Sequence, residues 1–256
     1  MSKLEIQQIA CLADNYGYLV HDPVTGQTAT IDTPEVGPIM EALKERGWQL
    51  THILNTHHHY DHAGGNEELK KLTGCTIIGP RGEQEAIPGI DRAVGEGDIV
   101  ELGSKRARII DVPGHTRGHI AYSFDAEHVV FVGDTMFALG CGRLFEGTPA
   151  QMWSSLSKLM ALPDDTTVYC AHEYTQSNAR FALSVEPQNK ALQARARLIE
   201  EKRARGEWTV PTTIAMEKAT NPFLRASSPD LRATLGMMNA SDVEVFAETR
   251  RRKDNF

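Results

Sequence analysis

The sequence predicts an α/β domain over residues 1–173 and a helical domain over residues 174–256. Three observations carry this. Short β-rich runs alternate with amphipathic stretches up to about residue 173, which is the rhythm of an α/β domain. After Tyr174 the strand signals stop and the chain reads as helical to its end. Finally, no internal repeat or low-complexity linker interrupts the chain, so the helical part is expected to pack on the α/β part. The 256 residues, 41% hydrophobic and 24% charged, suit a globular chain of one large or two modest domains and exclude disorder.

The expected strands run over 18–20, 28–31, 52–55, 76–78, 107–112, 120–124, 129–132 and 167–171. A helix over 36–46 puts Ile39, Met40 and Leu43 on one face before Gly47, and a shorter one over 66–72 stops at Gly74. Thr148-Pro149-Ala150-Gln151 combines an N-cap, a first-turn proline and a capping-box glutamine, opening a helix to about 162 with Met152, Leu156, Leu159 and Met160 facing a core. Helices over 178–185 and 190–205 follow, the second with Leu192, Leu198 and Ile199 as its apolar contribution. Thr212 or Thr213 caps a short helix ending at Asn221-Pro222, Ser228-Pro229 opens another, and Ser241-Asp242-Val243-Glu244 is a capping box for the last.

Charge and cysteine usage narrow the function. There are 27 Lys and Arg against 34 Asp and Glu, a net charge of −7, which argues against nucleic-acid and anionic-membrane partners. Four scattered cysteines form no C-x-x-C pair and are expected as reduced thiols. The first twenty residues lack the unbroken apolar core of a signal peptide, and no stretch is apolar enough to span a membrane, so a cytoplasmic location is expected.

The densest chemistry lies at Thr56-His57-His58-His59-Tyr60-Asp61-His62, directly after an apolar strand. Neutral imidazole and carboxylate are ligands for first-row metals. Four histidines within six positions have no packing rationale, because histidine is buried only when partnered. Three more places share one grammar, a strand end followed by His or Asp near a small-residue turn: Pro113-Gly114-His115-Thr116, Gly133-Asp134-Thr135 and Ala171-His172-Glu173. Strand ends converge on one sheet edge in α/β folds, so these ligands can meet.

With these segments in hand, the chain resembles the metallo-β-lactamase superfamily, whose T-H-x-H-x-D-H signature reads as Thr56 to His62. Within it the chain looks like the glyoxalase II family, the hydroxyacylglutathione hydrolases. The segments that carry this are Cys141-Gly142-Arg143-Leu144-Phe145-Glu146-Gly147-Thr148, His172-Glu173-Tyr174-Thr175, Asn221-Pro222-Phe223-Leu224-Arg225 and Arg251-Arg252-Lys253-Asp254. The resemblance implies a four-layered αββα sandwich with a C-terminal helical domain that binds glutathione. It also implies two divalent metal ions, zinc first, with iron or manganese as alternatives. One metal would be held by His57, His59 and His115, the other by Asp61, His62 and His172, with Asp134 bridging. Asp134, Asp61 and His62 carry the catalytic assignment, and His58, Tyr60 and His119 are not ligands in that pattern.

The implied reaction is hydrolysis of a small-molecule glutathione thioester, S-lactoylglutathione in the type case, to glutathione and lactate. A thiolate leaves without prior protonation, so no dedicated general acid is needed. Tyr174, Arg250 and Lys253 match the family's glutathione contacts, and Arg143, also assigned to substrate binding, sits where many members have Lys; without the resemblance, Arg250 to Lys253 reads as a solvated helix end whose cations suit the dipole. Phe145 stands where many relatives have Tyr, and Arg117 where a small residue or Pro is common. Rival readings are a persulfide dioxygenase, a lactonase, a secreted β-lactamase and a nucleic-acid-processing enzyme. A monomer is expected.

Overall fold

The computed structural model describes residues 3–256, which fold as two compact units. Of the described residues, one unit comprises 3–111 with 117–133, the other 112–116 with 134–256.

The first unit begins with β1 (Glu5–Cys11), β2 (Asn15–His21) and β3 (Thr28–Ile31), then α1 (Val36–Arg46) and β4 (Leu50–Leu54). It continues through α2 (Tyr60–Ala63), α3 (Asn66–Thr73), β5 (Thr76–Pro80) and β6 (Arg92–Val94). These six strands form one sheet in the order β1-β2-β3-β4-β5-β6. The first three run antiparallel through tight turns, and β3 to β6 run parallel. Parallel neighbours need a crossover, which α1 supplies between β3 and β4, and α3 between β4 and β5. Gly47 and Gly74, both with positive φ, end those two helices.

β7 (Ile99–Leu102), β8 (Lys105–Asp111), β9 (Ile120–Phe124) and β10 (Val129–Gly133) complete the first unit, ordered β10-β9-β8-β7 and all antiparallel. Period-two alternation sorts the apolar residues into two layers of core. Leu19, Ile53 and Ile77 meet Ile39 and Leu43 of α1 and Leu69 of α3 on one face of the first sheet. On the other face Tyr18 meets Phe131 of β10 at 5.5 Å, and the Tyr122 hydroxyl of β9 donates to the Asn55 carbonyl at 2.8 Å.

The second unit holds a buried two-stranded hairpin, β11 (Met136–Phe137) with β12 (Gly140–Cys141). Then come α4 (Pro149–Met160), β13 (Thr167–Cys170), α5 (Thr175–Val185), α6 (Lys190–Ala204), β14 (Thr212–Thr213), α7 (Ile214–Thr220), α8 (Pro229–Leu235) and α9 (Asp242–Asp254). The capping boxes at Thr148 and Ser241 form as their sequences require.

Several expectations need correction. The chain after Tyr174 is not wholly helical: β14 pairs with β13 through Thr167↔Thr213 and Val168↔Thr212. Two residues running straight into a helix cap give no periodic signal. β1, β6 and β7 were not expected, because β1 and β6 sit at sheet edges where polar residues blur the alternation. On α6 the buried face is Leu192, Arg195, Ala196 and Ile199, whereas Leu198 is 60% exposed. At 3.6 residues per turn, position 198 points about 100° away from 199.

Candidate metal centre

In the first unit the sequence cluster sits on the loop between β4 and α3. Asp32, just beyond β3 with φ +57°, is 3% exposed and organises it. Its Oδ1 accepts from the Thr56 amide, and its Oδ2 accepts from Thr56 Oγ1 and from His62 Nδ1, all at 2.8 Å. A carboxylate facing Nδ1 places the imidazole proton there and leaves Nε2 with its lone pair. That Nε2 lies 3.4 Å from Asp61 Oδ2, which also accepts from Asn15 Nδ2 at 3.0 Å. His57 is fully buried, with Nε2 3.0 Å from His59 Nδ1 and its ring stacked on His119 at 4.6 Å. Gly133, φ +49°, lets the end of β10 pass this group; a Cβ there would lie 2.6 Å from Thr56 Oγ1 and 2.7 Å from the His119 ring.

His58 turns toward Glu83, whose Oε2 accepts from its amide and faces its Nδ1, both at 2.8 Å, while Oε1 accepts from the Gly118 amide at 2.8 Å. Tyr60 is 86% exposed.

The second unit brings His115, Asp134 and His172 together. His115 Nδ1 donates to the Arg143 carbonyl at 2.9 Å, so Nε2 carries the lone pair. It lies 3.4 Å from Asp134 Oδ2, and His172 Nε2 lies 3.4 Å from Asp134 Oδ1. One carboxylate thus shows each oxygen to a different imidazole. Gly142 makes room for this, since a Cβ there would strike the Asp134 carbonyl and the His115 ring. The His172 ring lies flat on Tyr174, and Phe137 meets both edge-on at 5.8 and 5.3 Å. Phe145 stands edge-on to His115 at 5.2 Å.

These donors fit divalent metal ions. An imidazole lone pair and a carboxylate oxygen repel at 3.4 Å unless a proton or a metal ion lies between them. A set of nitrogens and oxygens without thiolate suits first-row divalent ions. The ligand nitrogens are also pre-oriented, since Asp32 and the Arg143 carbonyl fix the opposite nitrogen of their histidines.

The expected substrate contacts share the second unit with His172. Arg143 is exposed, with Nε 3.9 Å from Asp254 Oδ1. Arg250 is buried: Nη1 donates to the Cys141 carbonyl at 2.8 Å, and Nε and Nη2 reach Asp254 Oδ1 at 3.0 and 2.8 Å. Lys253 Nζ donates to Ser177 Oγ at 3.2 Å and lies over the Phe181 and Phe256 rings. Burial, with Arg250 and Arg143 nearby, pulls its ammonium below the usual lysine range. Arg251 and Arg252 both pair with Glu248.

Sequence reasoning missed Asp32, Asn15 and Glu83. Asp32 follows a strand end as the other donors do, and that was its available signal. Glu83 has none, lying 25 residues from the backbone it clamps.

Residues 12–172 match the family model described as the metallo-beta-lactamase superfamily, and residues 173–256 match the one described as the hydroxyacylglutathione hydrolase C-terminus. Solved structures agree on the fold. ETHE1 from Myxococcus xanthus aligns with TM-score 0.67 at 25% identity, covering 97% of this chain and 98% of that one. The BLEG-1 B3 metallo-beta-lactamase aligns with TM-score 0.68 at 19% identity, covering 86% and 100%. The fold and the His/Asp donor set define a metal-dependent hydrolase of the metallo-β-lactamase superfamily. Curated relatives narrow this: the hydroxyacylglutathione hydrolases of Maricaulis maris (strain MCS10) and Rhizobium meliloti (strain 1021) are 59% and 57% identical over 256 residues, covering all of both chains in each case. The chain belongs to the hydroxyacylglutathione hydrolase family.

Proposed function

We propose that the protein hydrolyses the thioester of S-(2-hydroxyacyl)glutathione, S-lactoylglutathione in the type case, to glutathione and a 2-hydroxy acid, the second step of methylglyoxal detoxification. In this reading His57, His59 and His115 would hold one divalent ion, zinc first, Asp61, His62 and His172 would hold a second, and Asp134 would serve both. The observation that carries the reading is Asp134, whose two oxygens each face a histidine nitrogen at 3.4 Å.

Bound there, two divalent ions supply Lewis acidity, which lowers the pKa of a water and polarises the thioester carbonyl. The chain supplies orientation. Asp32 keeps the His62 lone pair on Nε2, and the Arg143 carbonyl does the same for His115. Asp61 and Asp134 offer carboxylate oxygens to the attacking water, and Asn15 fixes one of them. The glutathione thiolate departs unprotonated, its parent thiol having a pKa of about 8.5. Arg143, Arg250 and Lys253 bring cations to the anionic tripeptide, and the half-exposed Tyr174 ring brings a hydroxyl. The protein acts as a cytoplasmic monomer without a nucleic-acid or membrane partner; no helix among the described residues is long and apolar enough to cross a membrane.

Hydrolysis of S-lactoylglutathione, followed by loss of thioester absorbance before and after chelation, tests this. Chelation is expected to abolish turnover and two equivalents of zinc to restore it. Undiminished turnover by metal-free protein would sink the proposal. So would no turnover by metal-loaded protein, and hydrolysis of lactones or oxidation of persulfides instead would name the sister activity.

A further inference from the structure

The hairpin β11–β12 starts two residues after Asp134, and it is held almost entirely by side chains from the helical part of the chain. Met136 and Leu139 are fully buried, so their backbone polar groups need partners inside the protein. Asn221 Nδ2 donates to the Phe137 and Gly140 carbonyls at 3.2 and 3.0 Å. The Leu139 amide, at a non-glycine residue with φ +60°, donates to Glu217 Oε2 at 2.9 Å, and Asn221 Nδ2 reaches the same oxygen at 2.9 Å. Glu217 is itself fully buried, its other oxygen accepting from Arg195 Nη2 and from Thr212 Oγ1 at 2.7 Å.

A buried ion pair is no more stabilising than a well-packed apolar pair of similar volume, whereas its directional bonds define one geometry. Here that geometry is the hairpin's. The Gly142 amide donates to the Thr135 carbonyl at 3.3 Å, closing the base beside Asp134, and Phe137, paired with Gly140 next to the turn, packs against the His172 and Tyr174 rings.

We infer that Glu217 and Asn221 are positioning residues for the Asp134 carboxylate, acting through the hairpin 136–141 to set how its oxygens face His115 and His172. This rests on the reading above, in which Asp134 bridges two metals. A displacement near 1 Å at a reacting centre costs up to about a hundredfold in rate, so slackening the hairpin is expected to act on turnover more than on substrate affinity.

The test uses the whole protein loaded with manganese, in which a carboxylate-bridged ion pair gives an exchange-coupled electron paramagnetic resonance signal. Glu217→Gln puts an amide where four donors need an acceptor, and Asn221→Ala removes the donor without touching a charge. The comparison variant is Glu186→Gln, another fully buried carboxylate of the helical part, bonded to Arg225 Nε at 2.8 Å and Ser228 Oγ at 2.7 Å and not to the hairpin. Glu217→Gln and Asn221→Ala are expected to replace the coupled signal with that of isolated ions. Their kcat should fall about 10- to 100-fold while KM stays within about threefold. Glu186→Gln should lower the melting temperature and keep both signal and kcat. Should Glu217→Gln fail to fold, Asn221→Ala carries the test. A coupled signal and full kcat in Asn221→Ala overturn the inference, as does loss of both in Glu186→Gln in proportion to its destabilisation. Asp134→Asn, measured alongside, separates the two readings. Coupling that survives Asp134→Asn overturns the bridging assignment, whereas coupling lost there but kept in Glu217→Gln and Asn221→Ala overturns the positioning role alone.

Discussion

Tyr174 lies flat on His172, with ring centroids 4.7 Å apart and planes 3° from parallel. The ring therefore buttresses the imidazole. Tyr174→Phe keeps the buttress and should leave metal content unchanged while raising KM severalfold, the value of one hydrogen bond at about 0.5–1.5 kcal/mol. Tyr174→Ala removes the stack and should also loosen metal, read as faster loss to a chelator.

Asp32 makes three hydrogen bonds at 2.8 Å, one of which sets the His62 tautomer. Asp32→Asn presents an amide in place of one acceptor oxygen. Partners of this kind are worth about 10- to 100-fold in metal affinity, so competition with a chelator should show a loss in that range. An unchanged affinity would remove Asp32 from the centre.

Lys253 faces Ser177 among aromatic rings, with its pKa held below the usual lysine range by burial and by the nearby Arg250 and Arg143. A lysine shifted this way loses its charge earlier as pH rises. KM for the anionic thioester should therefore climb with pH sooner than an ordinary lysine dictates. Lys253→Met should flatten that rise and weaken the salt dependence of KM, with kcat little changed.

Asp22 supplies an acid-stability prediction remote from the metals. Burial alone would raise its pKa, but hydrogen bonds from the Ser104 and Val24 amides and from Thr25 Oγ1 bring it down to about 2 from 3.8. A depressed carboxyl stabilises the fold above its unfolded pKa, and that contribution is lost as pH falls from about 4 toward 2. Asp22→Asn should lower stability at pH 7 by about 1–2 kcal/mol after allowance for screening, and flatten the melting-temperature curve across that acid window.

What the sequence makes legible here is what is local. Both halves of the Ser241–Glu244 capping box lie within one turn, and the donors from His57 to His62 lie within a single loop. The strand-end grammar also points to His115, Asp134 and His172, since each follows an apolar run. Illegible are the long-range supports. Asp32 stands 30 residues from His62, Glu83 stands 25 from His58, and Glu217 stands 78 from Leu139. Each looks like an ordinary acidic residue until the fold delivers it. Leu198 shows the opposite failure, a hydrophobic residue that composition assigns to the core and helical phase turns outward.

The Cys141 carbonyl waits for Arg250, a partner 109 positions further along the chain. At a ribosomal rate of about 5–20 residues per second, that interval lasts about 5–20 seconds. During it, the hairpin beside Asp134 has been synthesised without the arginine that completes its hydrogen bonding. Completion of the hairpin's hydrogen bonding is therefore a late event in the protein's biogenesis. A nascent chain halted before α9 would carry every donor of the proposed centre and both positioning residues, Glu217 and Asn221, and would still leave the Cys141 carbonyl without its arginine.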